Sequence, residues 1–192
     1  MELHFEKMLK YTPYFEKGMF YTIVLSAFSV AIGFALALVV ALIRLSKPGK
    51  STFSKVVNKA MHIITGLYIE VVRGTPLLVQ VMIVNLVVFH PDLIPKPKFT
   101  IFGTITGELF VPALVAISLN SGAYVAEIVR AGIQGVDYGQ TEACRSLGMT
   151  KFQNMRYIVL PQAIKNILPA IANEFVTIIK ESSVCSVIGV QE

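Results

Sequence analysis

The stretch TEACRSLGMTKFQNMRYIVLPQ, residues 141–162, is rich in charge although the regions on both sides of it are apolar. A charged segment between two hydrophobic regions is typical of a loop that connects membrane spans and lies in water. The fold therefore depends on whether the flanking regions cross a membrane. The charged residues of the stretch are Glu142, Arg145, Lys151 and Arg156.

The composition of the 192-residue chain indicates a membrane protein. Hydrophobic residues make up 54% of it and charged residues 15%, whereas soluble proteins average about 25% charged residues. The net charge of +5 is dispersed among apolar segments, which favours membrane topology over a nucleic-acid partner. The two cysteines and three histidines show no metal-ligand spacing, so no metal site is predicted.

The clearest span lies near the N-terminus. Tyr21 to Ile43 is an apolar run, and no acid or base occurs between Lys17 and Arg44. Since a spanning helix needs about 20 apolar residues, we predict a membrane span at about residues 19–43. The run is longer than the apolar part of a signal peptide, which is about 7 to 15 residues.

A second apolar region, residues 56–89, is too long for one straight span and contains a break signal. Gly74 disrupts the helix, Thr75 is predicted to cap the next one, and Pro76 suits its first turn. We expect residues 56–73, before this break, to lie at one surface of the membrane or to enter the bilayer from that surface. The part from Pro76 to Phe89 is predicted to cross the bilayer.

Two further spans are predicted at about residues 108–131 and 167–190. The last contains acidic and basic residues, which at that depth should face protein or water and not lipid. Lys and Arg number five in segment 44–59 and four in segment 132–165, but three in 1–18 and two in 90–107. Because basic loops stay in the cytoplasm, the N-terminus is predicted to lie outside and the 132–165 loop inside.

The cytoplasmic loop carries its own folding signals. Asp137 is predicted to cap a short helix through Leu147, which Gly148 ends. Thr150 and Gln153 form a capping-box pattern for a second helix, which is expected to end before Pro161. Two caps in one loop favour a shaped docking surface over a simple linker.

The run E-A-C-R-S-L-G, followed by I-V-L-P-Q, resembles the cytoplasmic "EAA" loop of permease subunits from bacterial ATP-binding cassette importers. The stretches Y-I-E-V-V-R-G-T-P-L-L-V-Q, S-G-A-Y-V-A-E-I-V-R-A-G-I and K-E-S-S-V-C-S-V-I-G-V are similar to the polar amino acid uptake branch, the histidine, glutamine and glutamate type. The resemblance covers about residues 18–192. It implies an all-α, polytopic transmembrane helical bundle in the bacterial inner membrane, a single domain with four visible spans and a fifth expected beyond the chain end.

The resemblance also implies roles and partners. The loop would couple the chain to a separate ATP-binding cassette ATPase subunit, and the chain would act with a second permease chain, identical or similar, and an extracytoplasmic amino-acid-binding protein. No cofactor is implied. Cys144 stands where the motif usually has a second alanine. The residues that match the coupling motif are Glu142, Ala143, Gly148, Leu160 and Pro161.

The chain is not expected to hydrolyse ATP itself. The sequence PGKST at 48–52 resembles the end of a phosphate-binding loop, but Arg44 stands where that motif requires its first glycine. No serine sits in a G-x-S-x-G elbow. ATP hydrolysis is therefore assigned to a partner.

Polar residues inside the spans are candidates for the substrate path. Arg73 beside a restarted helix would suit a carboxylate, unless it pairs with Glu70 three residues earlier. Asn120, Tyr124 and Glu127 share one helix face, although Glu127 would alternatively pair with Arg130. The full set of candidates is Arg73, Thr75, Gln80, Asn120, Ser121, Tyr124, Glu127, Glu174, Lys180 and Glu181.

Two other functions remain open from the sequence. The chain would alternatively be a permease of the same superfamily for another solute, such as methionine or a peptide. A channel or structural membrane subunit without an ATPase is the second alternative, and it predicts that deletion of residues 142–148 leaves function intact.

Overall fold

The computed structural model describes residues 11–46, 48–49, 51–101 and 105–190. The chain begins with two long helices, α1 (Thr12–Leu45) and α2 (Thr52–Gly74). A short helix α3 (Leu77–Ile83) continues into a π-helical turn, Val84–Val88. The predicted location of the N-terminus concerns residues 1–10, which lie outside the described residues.

A two-stranded antiparallel hairpin, β1 (Thr100–Ile101) and β2 (Ile105–Thr106), leads into the long helix α4 (Gly107–Gln134). The loop after α4 holds α5 (Tyr138–Ser146) and α6 (Lys151–Asn154). The chain then continues through a π-helical turn (Met155–Val159), α7 (Leu160–Glu181) and a 3-10 segment (Ser182–Ile188). The prediction of an all-α architecture is confirmed.

Helix α4 forms the centre of the bundle. The N-terminal half of α4 packs with α1, α3 and the 3-10 segment. The C-terminal half packs with α1, α2 and α7. Small residues allow close approach: a Cβ built on Gly33 of α1 would lie 2.8 Å from Ser121 Oγ of α4. Such contacts between small residues are typical of helix packing in membranes, where burial of apolar surface gives little driving force.

Helices α1 and α4 are each long and apolar enough to cross a membrane. Helix α2 and the segment Leu77–Val88 meet at a bend of 110° and would count as a third span if taken together. The break after Gly74 therefore exists. At ~1.5 Å per residue the helix after it is roughly 18 Å long, shorter than the ~30 Å hydrocarbon core, and its crossing of the bilayer stays a prediction.

The details of this break differ from the prediction. Pro76 is extended and precedes the first helical residue, and Thr75 does not cap α3. Instead the Thr75 hydroxyl donates a hydrogen bond back to the Val71 carbonyl at 2.9 Å. Threonine often satisfies its hydroxyl with a carbonyl four residues earlier, and here that local bond replaces the expected cap.

The second helix of the loop does not end before Pro161 as predicted. The helical path is continuous from Lys151 to Glu181, and its π turn ends at Val159, two residues before the proline. In that turn the Leu160 N–H donates to the Met155 carbonyl five residues earlier. The wider turn makes room for the proline ring, which would otherwise collide with a carbonyl of the preceding turn.

Candidate functional site

A polar cavity of about 330 Å³ lies where the bend between α2 and α3 meets α4 and the end of α7. The bend supplies Arg73 and Thr75, and α4 supplies Asn120 and Tyr124. Glu181 comes from the last turn of α7, so residues far apart in the sequence line the same cavity. Its lining is Arg73, Gly74, Thr75, Pro76, Leu77, Asn120, Tyr124 and Glu181.

Gln80 holds this corner of the bundle together. Its Nε2 donates to the carbonyls of Val72 at 2.7 Å and Thr75 at 3.0 Å, which fixes the bend. Its Oε1 accepts a hydrogen bond from Asn120 Nδ2 at 3.2 Å. The amide of Gln80 therefore connects the bend to α4, and the hydrogen bonds position the polar wall of the cavity.

Arg73 carries the positive charge of the cavity. Its guanidinium lies over the ring of Tyr124, 5.0 Å from the centroid, in cation–π geometry. The alternative pairing with Glu70 is not formed, because no ion pair joins these two side chains in the described part of the chain. Arg73 thus presents a guanidinium that an anionic group of a ligand can reach.

The remaining path candidates occupy different surroundings. Glu127 accepts hydrogen bonds from Arg130 Nε at 3.0 Å, as in the structural alternative considered from the sequence, and Arg130 also reaches Gln134. Ser121 is fully buried against α1 and does not line this cavity. Glu174 is half-buried within electrostatic reach of Arg73, whereas Lys180 is exposed.

The loop between α4 and α7 forms a second candidate site. The Asp137 carboxylate accepts from the Gly139 N–H at 2.7 Å, and Thr150 and Gln153 form the predicted capping box. Gly148 adopts a φ of 77°, and the Met149 N–H bonds back to the Cys144 carbonyl at 3.0 Å. This hydrogen-bond pattern closes α5 and turns the chain sharply toward α6.

The coupling-motif residues lie on the outside of this loop. Glu142, Ala143 and Gly148 are exposed, while Cys144 is buried behind them and packs as the small residue expected at its position. Leu160 and Pro161 are exposed on the first turn of α7, not at the end of the loop helix. Glu142 and Pro161 are therefore exposed on two different helices, α5 and α7.

The same loop exposes large apolar side chains that were not predicted to be functional. Leu147 is 81% exposed and Phe152 is 70% exposed, although both stand in a charged segment outside the apolar spans. Exposed apolar groups in water mark surfaces that contact other proteins. The signal was present in the sequence, since large apolar residues directly flank the caps. The set is Tyr138, Leu147, Phe152 and Tyr157.

Comparison with known proteins agrees with this architecture. Residues 19–192 match the family described as "Binding-protein-dependent transport system inner membrane component". A putative glutamine transport system permease protein of Rickettsia bellii is 37% identical over 96% of this chain and 77% of its own length. The arginine transport system permease protein ArtQ of Bacillus subtilis is 40% identical over 98% of this chain and 77% of its own length.

Solved structures show the same fold. A crystal structure of an amino acid ABC transporter with histidines superposes with a TM-score of 0.82 at 43% identity, over all of this chain and 79% of that one. The MetNI methionine ABC transporter in an inward-facing conformation gives a TM-score of 0.63 at 18% identity, over 90% of this chain and 73% of that one, which shows the fold alone.

These matches confirm the resemblance to importer permeases and support that interpretation over a channel or structural subunit. The family consists of membrane permease subunits, which are not themselves catalytic. The chain is accordingly a multi-pass protein of the inner membrane. By sequence and by fold, it belongs to the family of binding-protein-dependent transport system inner membrane components.

Proposed function

We propose that the chain forms part of the path by which an ATP-driven importer carries a polar amino acid into the bacterial cell. The observation that carries this proposal is the cavity at the α2–α3 bend. It places the Arg73 guanidinium and the Glu181 carboxylate on the wall of one space, with amide groups beside them. An amino acid presents the complementary pair, a carboxylate and an ammonium group.

The size of the cavity is compatible with the same proposal. Its volume of about 330 Å³ is at the low end of the range of about 300 to 1,000 Å³ for small-molecule pockets. Relatives named for glutamine, arginine and L-cystine transport favour amino acids over peptides. We assign path contacts to Arg73, Thr75, Gln80, Asn120, Tyr124 and Glu181, with Glu174 nearby; Ser121, Glu127 and Lys180 are weaker candidates because they lie elsewhere.

The coupling loop is proposed to bind a separate ATPase subunit. Glu142, Ala143 and Gly148 would contact that partner directly, and the exposed Leu147 and Phe152 would supply apolar contact area. Leu160 and Pro161 would contact the same ATPase subunit from the first turn of α7. Hydrolysis of ATP by the partner would then act on the path through this loop.

The remaining partners follow from the exposed faces of the bundle. Helix α2 buries only Thr65 and Ile69, so most of its apolar side chains are available to lipid or to a second permease chain. The N-terminus is proposed to lie outside, where an extracytoplasmic binding protein would deliver the amino acid. The basic segment 44–59 and the coupling loop would lie in the cytoplasm.

The proposal is tested by purifying the tagged chain from its native membrane in mild detergent and identifying the proteins that accompany it. We expect an ATPase subunit to co-purify, and the complex to show ATP-dependent amino acid uptake after reconstitution into vesicles with the binding protein. Deletion of residues 142–148 should remove the ATPase. A chain that purifies without an ATPase under gentle conditions, or transports no amino acid, would contradict the proposal.

Replacement of Arg73 by glutamine is expected to weaken the apparent affinity for the amino acid about tenfold, since a hydrogen bond to a charged group contributes roughly 1.5 to 3 kcal/mol. The measurement is the KM of ATP-dependent uptake. Lys55→Gln serves as the control, because Lys55 is exposed near the start of α2 and lies outside the cavity lining. An unchanged KM in Arg73→Gln would exclude the guanidinium from substrate binding.

A further inference from the structure

A second cavity, of about 660 Å³, lies between the coupling loop and the end of α4, and the proposed function does not use it. Its walls come from the end of α4, from one face of α5, and from α6 with the π-helical turn that follows. We infer that this cavity is a separate binding site, which takes one free amino acid from the cytoplasm. The inference shares with the proposed function only the cytoplasmic position of the loop.

Much of the cavity wall is apolar. Ile133 and Val136 supply apolar surface around the end of α4, and Met149, Met155 and Val159 supply it from the chain after α5. A cavity of this size, apolar with a few well-placed polar groups, is the usual form of a small-molecule site. The apolar wall leaves room for a side chain, and the polar groups decide the rest of the ligand.

Two cations of the wall suit a carboxylate. Arg145 comes from α5 and Lys151 from the first turn of α6. Among the described residues, neither belongs to an ion pair. Their donors are thus available to an anionic group of a ligand, and a guanidinium in particular can form two parallel hydrogen bonds with a carboxylate.

The same wall holds acceptors that suit an ammonium group. The Asn154 side chain is 8% exposed, and its Nδ2 donates to Thr141 Oγ1 at 3.2 Å. Its Oδ1 is buried and has no hydrogen-bond partner in the described part of the chain. A buried acceptor without a partner is unfavourable, so a donor from a ligand would stabilise it. Asp137 adds a carboxylate, which can accept more bonds than the one from the Gly139 N–H.

Cations and acceptors together decide the class of ligand. A simple anion such as phosphate would suit Arg145 and Lys151, but it would be repelled by the Asp137 carboxylate. A free amino acid carries a carboxylate and an ammonium on one carbon atom, so it offers a partner to both kinds of group. Its side chain would then contact the apolar wall.

The cavity and the proposed ATPase contact lie on different faces of α5. Tyr138, Thr141 and Arg145 line the cavity and follow i, i+3, i+7 spacing, so they share one face. Ala143 and Leu147 do not line it, and at about 100° per residue they point away from that face. An amino acid and the ATPase can therefore bind at the same time. The amino acid would contact α5 and α6 together, and would restrain the loop on which the ATPase acts.

Cys144 gives a local measurement of occupancy. It lies on α5 directly before Arg145 and is buried, so a thiol reagent reaches it when the loop opens. The complex of permease and ATPase in lipid nanodiscs would be alkylated at increasing concentrations of glutamine, arginine or leucine. The labelling of Cys144 and of Cys185, which lies outside this cavity, would be followed separately by mass spectrometry of peptides.

We expect an amino acid at about ten times its dissociation constant to slow the labelling of Cys144 about tenfold, because only the closed loop binds the ligand. The labelling of Cys185 is the internal reference. The slowing should persist in Arg73→Gln, since Arg73 belongs to the other cavity. Inorganic phosphate should not protect Cys144, and the N-acetyl and carboxamide derivatives of the amino acid, which lack its ammonium and its carboxylate, should protect it less.

Variants assign the protection to the cavity. Lys151→Gln and Arg145→Gln should each raise the amino acid concentration needed for protection about tenfold, since each removes a charge-assisted contact. Lys165→Gln is the matched control, because Lys165 is exposed on α7 outside the cavity lining, and it should leave the protection unchanged.

The outcomes separate this inference from the proposed function. If none of the three amino acids slows the labelling of Cys144, or if both cation variants are protected like the wild type, the inference is overturned while amino acid import stands. Phosphate that protects as well as the amino acid would show a site for anions only, and would also overturn it. Protection of Cys144 in a complex that transports no amino acid would contradict the proposed function alone.

Discussion

Replacing Gly148 by valine is expected to reduce ATP-driven transport about thirtyfold while the helix bundle stays folded. Gly148 has a φ of 77°, and no atom lies within 4 Å of a Cβ built on it. The cost of a side chain there is therefore conformational and not steric. A left-handed backbone costs an L-residue roughly 1 to 2 kcal/mol, and a β-branched residue is among the least tolerant. The loop would adopt another turn, and the caps on either side would no longer present one surface.

Gly148→Asn is the matched control for this prediction. Asparagine enters the left-handed region several times more readily than other non-glycine residues, so it should keep most of the transport. Both variants are reconstituted with the ATPase, and the rates of uptake and of ATP hydrolysis are measured on equal amounts of folded complex. Equal transport by the valine and asparagine variants would show that the turn at Gly148 does not matter for coupling.

Gly132→Val is expected to destabilise the bundle by about 3 kcal/mol. A Cβ on Gly132 of α4 would lie 2.3 Å from Ile167 Cγ1 of α7 and 3.4 Å from the Ala163 carbonyl oxygen. Ile167 and Ala163 are buried, so neither side of the contact has free space. Overpacking of a core costs about 1 to 3 kcal/mol and occasionally more, and here the helices would have to separate.

A thiol-reactive fluorophore gives the measurement, because Cys144 and Cys185 are buried and become reactive as the protein unfolds. Gly132→Val should lower the unfolding temperature in detergent by several degrees relative to Gly74→Val, since a Cβ on Gly74 meets no atom within 4 Å. Ile167→Ala removes the colliding atom and should restore part of the loss when combined with Gly132→Val. A double variant no more stable than Gly132→Val would contradict this contact.

The sequence predicted features that are decided locally. An uncharged run is sufficient to place a helix through residues 21–43, and capping patterns at Asp137 and Thr150 depend on neighbours two or three residues away. The failures also have local causes. The Thr75 hydroxyl could cap the next helix or bond to a carbonyl of the preceding turn, and it does the second. The π turn before Pro161 left no periodic signal in the sequence.

The cavity could be recognised only in the tertiary structure. The sequence identified Arg73, Asn120 and Glu181 separately as polar groups in apolar spans, but their meeting depends on a 110° bend and on how α4 and α7 pack. Conversely, Asn120, Tyr124 and Glu127 share a helix face by spacing, yet Glu127 is held by Arg130 away from the cavity lining. Helical periodicity gives the face of a residue, whereas its neighbours on other helices decide what that residue can contact.

The helix that continues through Pro161 has a mechanical consequence. One rod extends from Lys151 in the coupling loop to Glu181 at the cavity, and at ~1.5 Å per residue its length is roughly 46 Å. If this path moved as one body, a tilt of about 5° at the loop would displace the Glu181 end by about 4 Å, less than the ~5.4 Å pitch of one helical turn. The turn at Met155–Val159 and Pro169 are the points where this path would bend.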